Sequence, residues 1–128
     1  MADRDDVRRA ALALPETAEA VSRGLLQWRV ADRLFVWERP LRKPDLAALG
    51  RGAPDGAILG ARVEDEGEKR ALIEAEPELF FTIPHFAGYP AILTRLDSLG
   101  IERLGTLVTE AWLARAPTRL ARTFLAGI

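Results

Sequence analysis

Arginine dominates the side chains of this sequence that could engage a charged partner. Between Arg23 and Lys43 lie Arg23, Arg29, Arg33, Arg39, Arg42 and Lys43 against only Asp32 and Glu38, a local balance of +4. A guanidinium is planar and always charged, and its fork of N–H donors matches two oxygens of one phosphate, so such a run suits the backbone of a nucleic acid. Trp28 and Trp37, in the same run, have flat faces on which bases can stack; tryptophans at strand spacing equally serve as core or sheet-face packing. A second basic group, Arg115, Arg119 and Arg122, follows Glu110. It fits either a further phosphate contact or the preference of helix C-termini for cations. Between the two, residues 64–78 carry seven acids against Lys69 and Arg70, a balance of −5, and read as a solvated face.

Acid–base chemistry near neutral pH rests on one residue, His85, in a loop bounded by Pro84 and Pro90 and close in sequence to Thr82 and Tyr89. A nucleophilic site needs a base held by a third group beside a hydroxyl, and no spacing here supplies one. His85 therefore reads first as a structural residue, hydrogen-bonded to backbone to fix its loop, and second, with Tyr89, as the wall of a ligand pocket. Cysteine is absent, which removes disulfides, thiolate nucleophiles and zinc–thiolate sites and fits the reducing cytosol. The glycine-rich stretch GRGAPDG from Gly50 lacks the Lys-Ser/Thr of a phosphate-cradling loop. No catalytic residue, metal site or cofactor is expected, and the chain reads as a non-enzyme.

The elements that must position these residues follow from hydrophobic period and punctuation. Within 128 residues, 48% hydrophobic and 29% charged with a net charge of −1, there is room for one domain (residues 1–128) with a real core. No apolar run is long enough for a membrane span, and the charged N-terminus is unlike a secretory signal, so a cytoplasmic protein is expected. Val7, Ala10, Ala11 and Leu14 set a helix over residues 3–14, ended by Pro15. Residues 25–30 and 34–37 form a β-hairpin turning at Ala31, Asp32 and Arg33, with Leu26, Trp28 and Val30 on the inward face. A Pro- and Gly-rich loop over 40–56 holds one helical turn at 45–49. A strand at 57–63, a helix at 65–75, strands at 79–83 and 91–96, an amphipathic helix from Leu104 to Arg115 with Trp112 inward, and a short helix at 118–125 complete the order α-β-β-β-α-β-β-α-α. That order is an α+β fold of two layers, a five-stranded antiparallel sheet covered by helices on one face.

Several stretches carry a family resemblance. The run FFTIPHFAGYPAIL from Phe80, then RLDSLG, then EAWLARAPTRLA from Glu110, together with ALALPETAEAV from Ala11 and the hairpin WRVADRLFVW from Trp28, resembles the MmcQ/YjbR family in the same order over nearly the whole chain. The resemblance implies a fold like that of type III secretion chaperones and frataxin-like proteins, and a DNA-binding role through a "double wing" motif. Where many members have Lys or Gly in the hairpin turn, this chain has Asp32 and Arg33. The expected partner is double-stranded DNA, its phosphates met by Arg29, Arg33, Arg39, Arg42 and Lys43. An acidic pI of about 5.9 weighs for the competing description, in which those residues are only the watered half of an amphipathic hairpin. The alternative function is a protein- or small-ligand-binding module using the crevice near His85 and Tyr89.

Overall fold

Two tight turns organise the first half of the sheet in the computed structural model, which describes residues 1–127. Arg23 (φ 53°) and Gly24 (φ 80°) join β1, Thr17–Ser22, to β2, Leu25–Val30; Ala31 (φ 47°) and Asp32 (φ 66°) join β2 to β3, Arg33–Glu38. Positive φ at both central residues is the turn geometry whose twist matches that of the flanking strands. The chain continues through α2 (Lys43–Leu49), β4 (Ile58–Arg62), α3 (Glu66–Ala75), β5 (Phe80–Phe81) and β6 (Ala91–Arg95). The strands form one antiparallel sheet in the order β1-β2-β3-β4-β6-β5.

The sheet thus has six strands rather than the five expected, within the same α+β class. The added strand is β1: it lies at the sheet edge with most side chains exposed, so its sequence TAEAVS shows no apolar alternation. Residues 79–83 pair over only two positions, and the helical turn expected at 45–49 is the longer α2.

One face of the sheet carries the main core. α1 (Arg4–Leu12) begins at Asp3, whose carboxylate accepts from the Asp6 N–H at 3.0 Å while the Asp6 carboxylate accepts from the Asp3 N–H at 2.9 Å. Val7 and Ala11 of α1 and Leu104, Leu107, Val108, Ala111 and Trp112 of α4 (Ile101–Arg115) pack against Leu26, Trp28, Val30, Val36, Leu59, Ala61 and Ile92. Trp28 and Trp112 are fully enclosed. Their indole N–H groups donate to the Glu19 carboxylate at 2.9 Å and to the Pro15 carbonyl at 3.0 Å, as enclosed tryptophans require. Phe124, on α5 (Thr118–Ala126), lies 4.9 Å from the Trp112 ring.

The opposite face is not bare, which corrects the expectation of helices on one side only. Ile58, Phe81, Ile83, Phe86, Ala91 and Leu93 form a second, smaller core, with Leu41, Leu49 and Trp37 packed on it. The segment around α2 and the short 3-10 turn Pro84–Phe86 therefore cover the β4–β6–β5 end. Over β1–β3 this face stays open, with Leu25, Gln27, Arg29 and Leu34 only half-buried. Among the described residues, no helix is long and apolar enough to cross a membrane.

Candidate functional site

Strand alternation divides the charges of the basic segment between the two faces. Glu19 is paired across from Trp28, and Glu38 across from Leu59, so both acids point to the main-core side. There the Glu19 carboxylate binds Arg8 through two N–H···O contacts of 2.8 and 3.0 Å. These bonds and that of Trp28 hold its carboxyl below the ordinary glutamate range, against the effect of burial. Glu38 takes Arg4 at 2.6 and 3.0 Å and the Leu26 N–H at 2.7 Å. Glu19 and Glu38 are thereby paired with cations of α1, while Asp32, in the turn itself, is exposed.

The five expected phosphate contacts separate in the structure. Arg29 lies on the open face beside Gln27, donating to its side-chain oxygen at 3.1 Å and to the Asp32 carbonyl at 3.2 Å. Arg33 is exposed and donates to the Arg115 carbonyl at 3.1 Å. Arg42 and Lys43 are exposed at the start of α2. None of these four side chains, nor that of Arg23 in the first turn, has a described carboxylate within 4 Å of its charged group.

Arg39 is different, and a phosphate-contact role for it is corrected. It is 5% exposed, as is Asp45, and their side chains meet at 3.1 Å. The guanidinium also donates to the Pro40 carbonyl at 2.6 Å and lies 5.5 Å from the centre of the Phe86 ring. Burial would raise the Asp45 carboxyl, but the Arg42 N–H, donating at 2.8 Å, and the Arg39 charge outweigh it and hold the group below its ordinary value. Arg39 and Asp45 thus fasten the basic loop to the second core.

The loop 84–90 is fastened by a residue that sequence reasoning left in a solvated helix face. Lys69 of α3 is 4% exposed, and its ammonium donates to the Phe86 carbonyl at 2.7 Å and the Tyr89 carbonyl at 3.0 Å. The anchoring role expected of His85 therefore belongs to Lys69, because a long flexible stem reaches from the neighbouring helix. His85 itself is exposed, edge-on to Phe86 with ring centres 4.9 Å apart.

Between the hairpin and this loop lies a cleft of about 540 Å³. Its walls include Arg23, Gln27, Leu34, Trp37, Arg42, His85, Phe86 and Tyr89, so the basic segment and the proposed crevice share one concavity. Trp37 lies flat across Gly60 of β4: a Cβ there would sit 2.4 Å from the indole, so only glycine admits the ring. Phe86 stacks with Tyr89 at 5.9 Å and meets Trp37 at 6.2 Å. The arrangement combines aromatic surface with Arg23, Arg42 and the Arg4-paired Glu38 at its margins. It holds no group of three or more potential metal ligands among the described residues.

Comparison with known proteins agrees with this architecture. The YjbR family model matches residues 12–114. The chain belongs to the YjbR family. An uncharacterized protein of Mycobacterium bovis and one of Mycobacterium tuberculosis are each 51% identical to it over 130 residues, covering 99% of this chain and 98% of theirs. The crystal structure of Deinococcus radiodurans protein DR2400, whose domain is classed DUF419, superposes with a TM-score of 0.67 at 21% identity, covering 98% of this chain and 89% of that one. That likeness is one of fold. In this YjbR-family chain the site residues that sequence reasoning missed are Lys69 and Asp45. Each acts across an element boundary, which no local spacing records.

Proposed function

We propose that this YjbR-family protein is a non-enzymatic cytoplasmic module that contacts the phosphate backbone of double-stranded DNA through the open face and the turn end of the β2–β3 hairpin and the start of α2. One observation carries the reading. Glu38 of the segment and neighbouring Glu19 are paired with Arg4 and Arg8 of α1, leaving Asp32 in the exposed turn as the acid among these cations, and the side chains of Arg23, Arg29, Arg33, Arg42 and Lys43 have no described carboxylate within 4 Å. A chain of net charge −1 can in this way keep one cationic face, and it is the face rather than the total that meets phosphate. Arg39 is not among the contacts.

If Arg29, Arg33, Arg42 and Lys43 each meet one phosphate, the logarithm of duplex affinity falls against the logarithm of salt concentration with a slope of roughly −4. Fluorescence anisotropy over a salt series, on the parent and on a variant with all four changed to Ala, reads this directly, with circular dichroism verifying the fold. The variant should flatten the slope toward zero. Equal slopes, or no duplex binding by the parent at low salt, would overturn the proposal. A second reading, a small-ligand or protein-binding module using His85 and Tyr89, draws on the aromatic walls of the cleft and becomes the leading one if the parent binds no duplex.

A further inference from the structure

At the end of the sheet away from α2, three arginines from distant parts of the chain come together. Arg115, in the last turn of α4, is half-buried and turns its Nε to the Leu34 carbonyl at 3.2 Å, across the end of β3. Arg33, next to Leu34, returns a bond to the Arg115 carbonyl at 3.1 Å. Arg62, on the neighbouring strand β4, donates from Nε to the Pro90 carbonyl at 3.0 Å and from Nη1 to the Tyr89 hydroxyl at 3.1 Å, its Cζ 4.7 Å from the centre of the Tyr89 ring. Every protein partner of the three guanidiniums is neutral, and no described carboxylate lies within 4 Å of any of them.

A guanidinium has five N–H donors, so each of the three retains donors that no described protein group accepts. Like charges gathered beside one another are unfavourable unless an anion or water screens them; Glu64, Glu68 and Glu110 share a second cleft with Arg62, but none comes within 4 Å of its guanidinium. Burial and then the charges of Arg62 and Arg33 lower the Arg115 pKa from its ordinary value. Arg4, Arg8 and Arg103, by contrast, each have a carboxylate held by two contacts. Tyr89, which Arg62 holds, is also a wall of the cleft, so this corner adjoins the open face and is not an isolated surface patch.

We infer that Arg33, Arg62 and Arg115, with the Tyr89 hydroxyl, form a phosphoryl-binding corner at the edge of the cleft. Three forks of N–H donors suit the several oxygens of a phosphoryl group, and burial of Arg115 strengthens the contact. The corner stands apart from the hairpin proposal, sharing only Arg33 with it.

Titration with inorganic pyrophosphate at low ionic strength, followed by calorimetry, tests the assignment. Saturable binding is expected in the parent, weakened roughly tenfold to a hundredfold by Arg62→Gln and by Arg115→Gln, as the loss of charge-assisted hydrogen bonds implies. Arg119→Gln, on exposed α5, should leave it unchanged. Because Arg115 also ties α4 to β3, Arg33→Gln, on an exposed side chain, provides a variant that should fold normally and still weaken binding. Absence of saturable binding, or unchanged affinity in the folded Arg33 and Arg62 variants, overturns the inference. A triple variant, Arg29→Ala, Arg42→Ala and Lys43→Ala, spares the corner and should retain pyrophosphate binding whether or not duplex affinity survives. The source of the phosphoryl group is read from two further arms, each supporting the site. A duplex salt slope that loses about one in Arg115→Gln places it on nucleic acid, and competition by a 5′-mononucleotide with the duplex slope unmoved places it on a small ligand.

Discussion

Removing Asp45 should destabilise the protein severely while leaving the exposed cations of the hairpin in place. The carboxylate is 5% exposed and faces Arg39, equally buried, at 3.1 Å; it also accepts the Arg42 N–H at 2.8 Å at the start of α2. Taking one partner from a buried pair leaves an uncompensated charge, at a cost of about 3–5 kcal/mol, and loss of the backbone contact adds about 1 kcal/mol. The sum of roughly 4–6 kcal/mol is a large share of the about 5–15 kcal/mol that holds a domain together. With a urea dependence of about 1–3 kcal/mol per molar, Asp45→Ala should lower the unfolding midpoint by more than about 1 M. Arg39→Ala should fall by a similar amount, since it strands Asp45. The double change Arg39→Met with Asp45→Leu should recover most of the loss, because a volume-matched apolar pair has no charge to desolvate. Urea unfolding followed by far-ultraviolet circular dichroism gives all three values. If Arg39→Ala keeps the parent's midpoint but weakens duplex binding, Arg39 is a phosphate contact after all and the structural role assigned to it here is wrong.

Three other outcomes follow from the same contacts. Lys69→Met should take the ammonium donor from the Phe86 and Tyr89 carbonyls, which keep the Tyr89 and Ala91 N–H groups, lower stability by about 1–3 kcal/mol, and speed amide hydrogen exchange across loop 84–90 before the β-sheet. Unchanged exchange there would show that the ammonium does not anchor the loop. Gly60→Ala places a Cβ into the Trp37 indole, so it should cost about 1–3 kcal/mol by overpacking and shift tryptophan emission to longer wavelength, since Trp28 and Trp112 stay enclosed; an unshifted spectrum would contradict the flat packing. Glu19 and Glu76 have carboxyls lowered chiefly by hydrogen bonds from Arg8 and Arg103. The unfolded chain then binds protons first as pH falls, so their contribution is present above the ordinary carboxylate range of about 4 to 4.5 and is lost as pH drops through the lower folded values. The melting temperature should decline on that acid side, and less steeply in Glu19→Gln.

Much of the fold was legible in the residues because its determinants are local. Leu26, Trp28 and Val30 alternate within one strand, and Leu104, Val108 and Trp112 recur at helical spacing; in both cases the side that is apolar in the sequence is the side that is buried. β1 escaped notice because an edge strand pairs through its backbone on one side only, and TAEAVS buries too little to carry a pattern. The basic segment too was visible as a count of charges, but which charges remain free was not. Arg39 and Arg42 are three positions apart with the same chemistry, and only the packing of α2 on the second core buries the first and exposes the second. The same holds for the meeting of Arg33, Arg62 and Arg115 and for the reach of Lys69 across to loop 84–90. Charge composition is a property of the chain in order, whereas pairing depends on distances between segments far apart in that order. The residues alone therefore determined five of the six strands, the helices and the surplus of cations, and the tertiary structure decided which cations are buried or paired and which stay exposed.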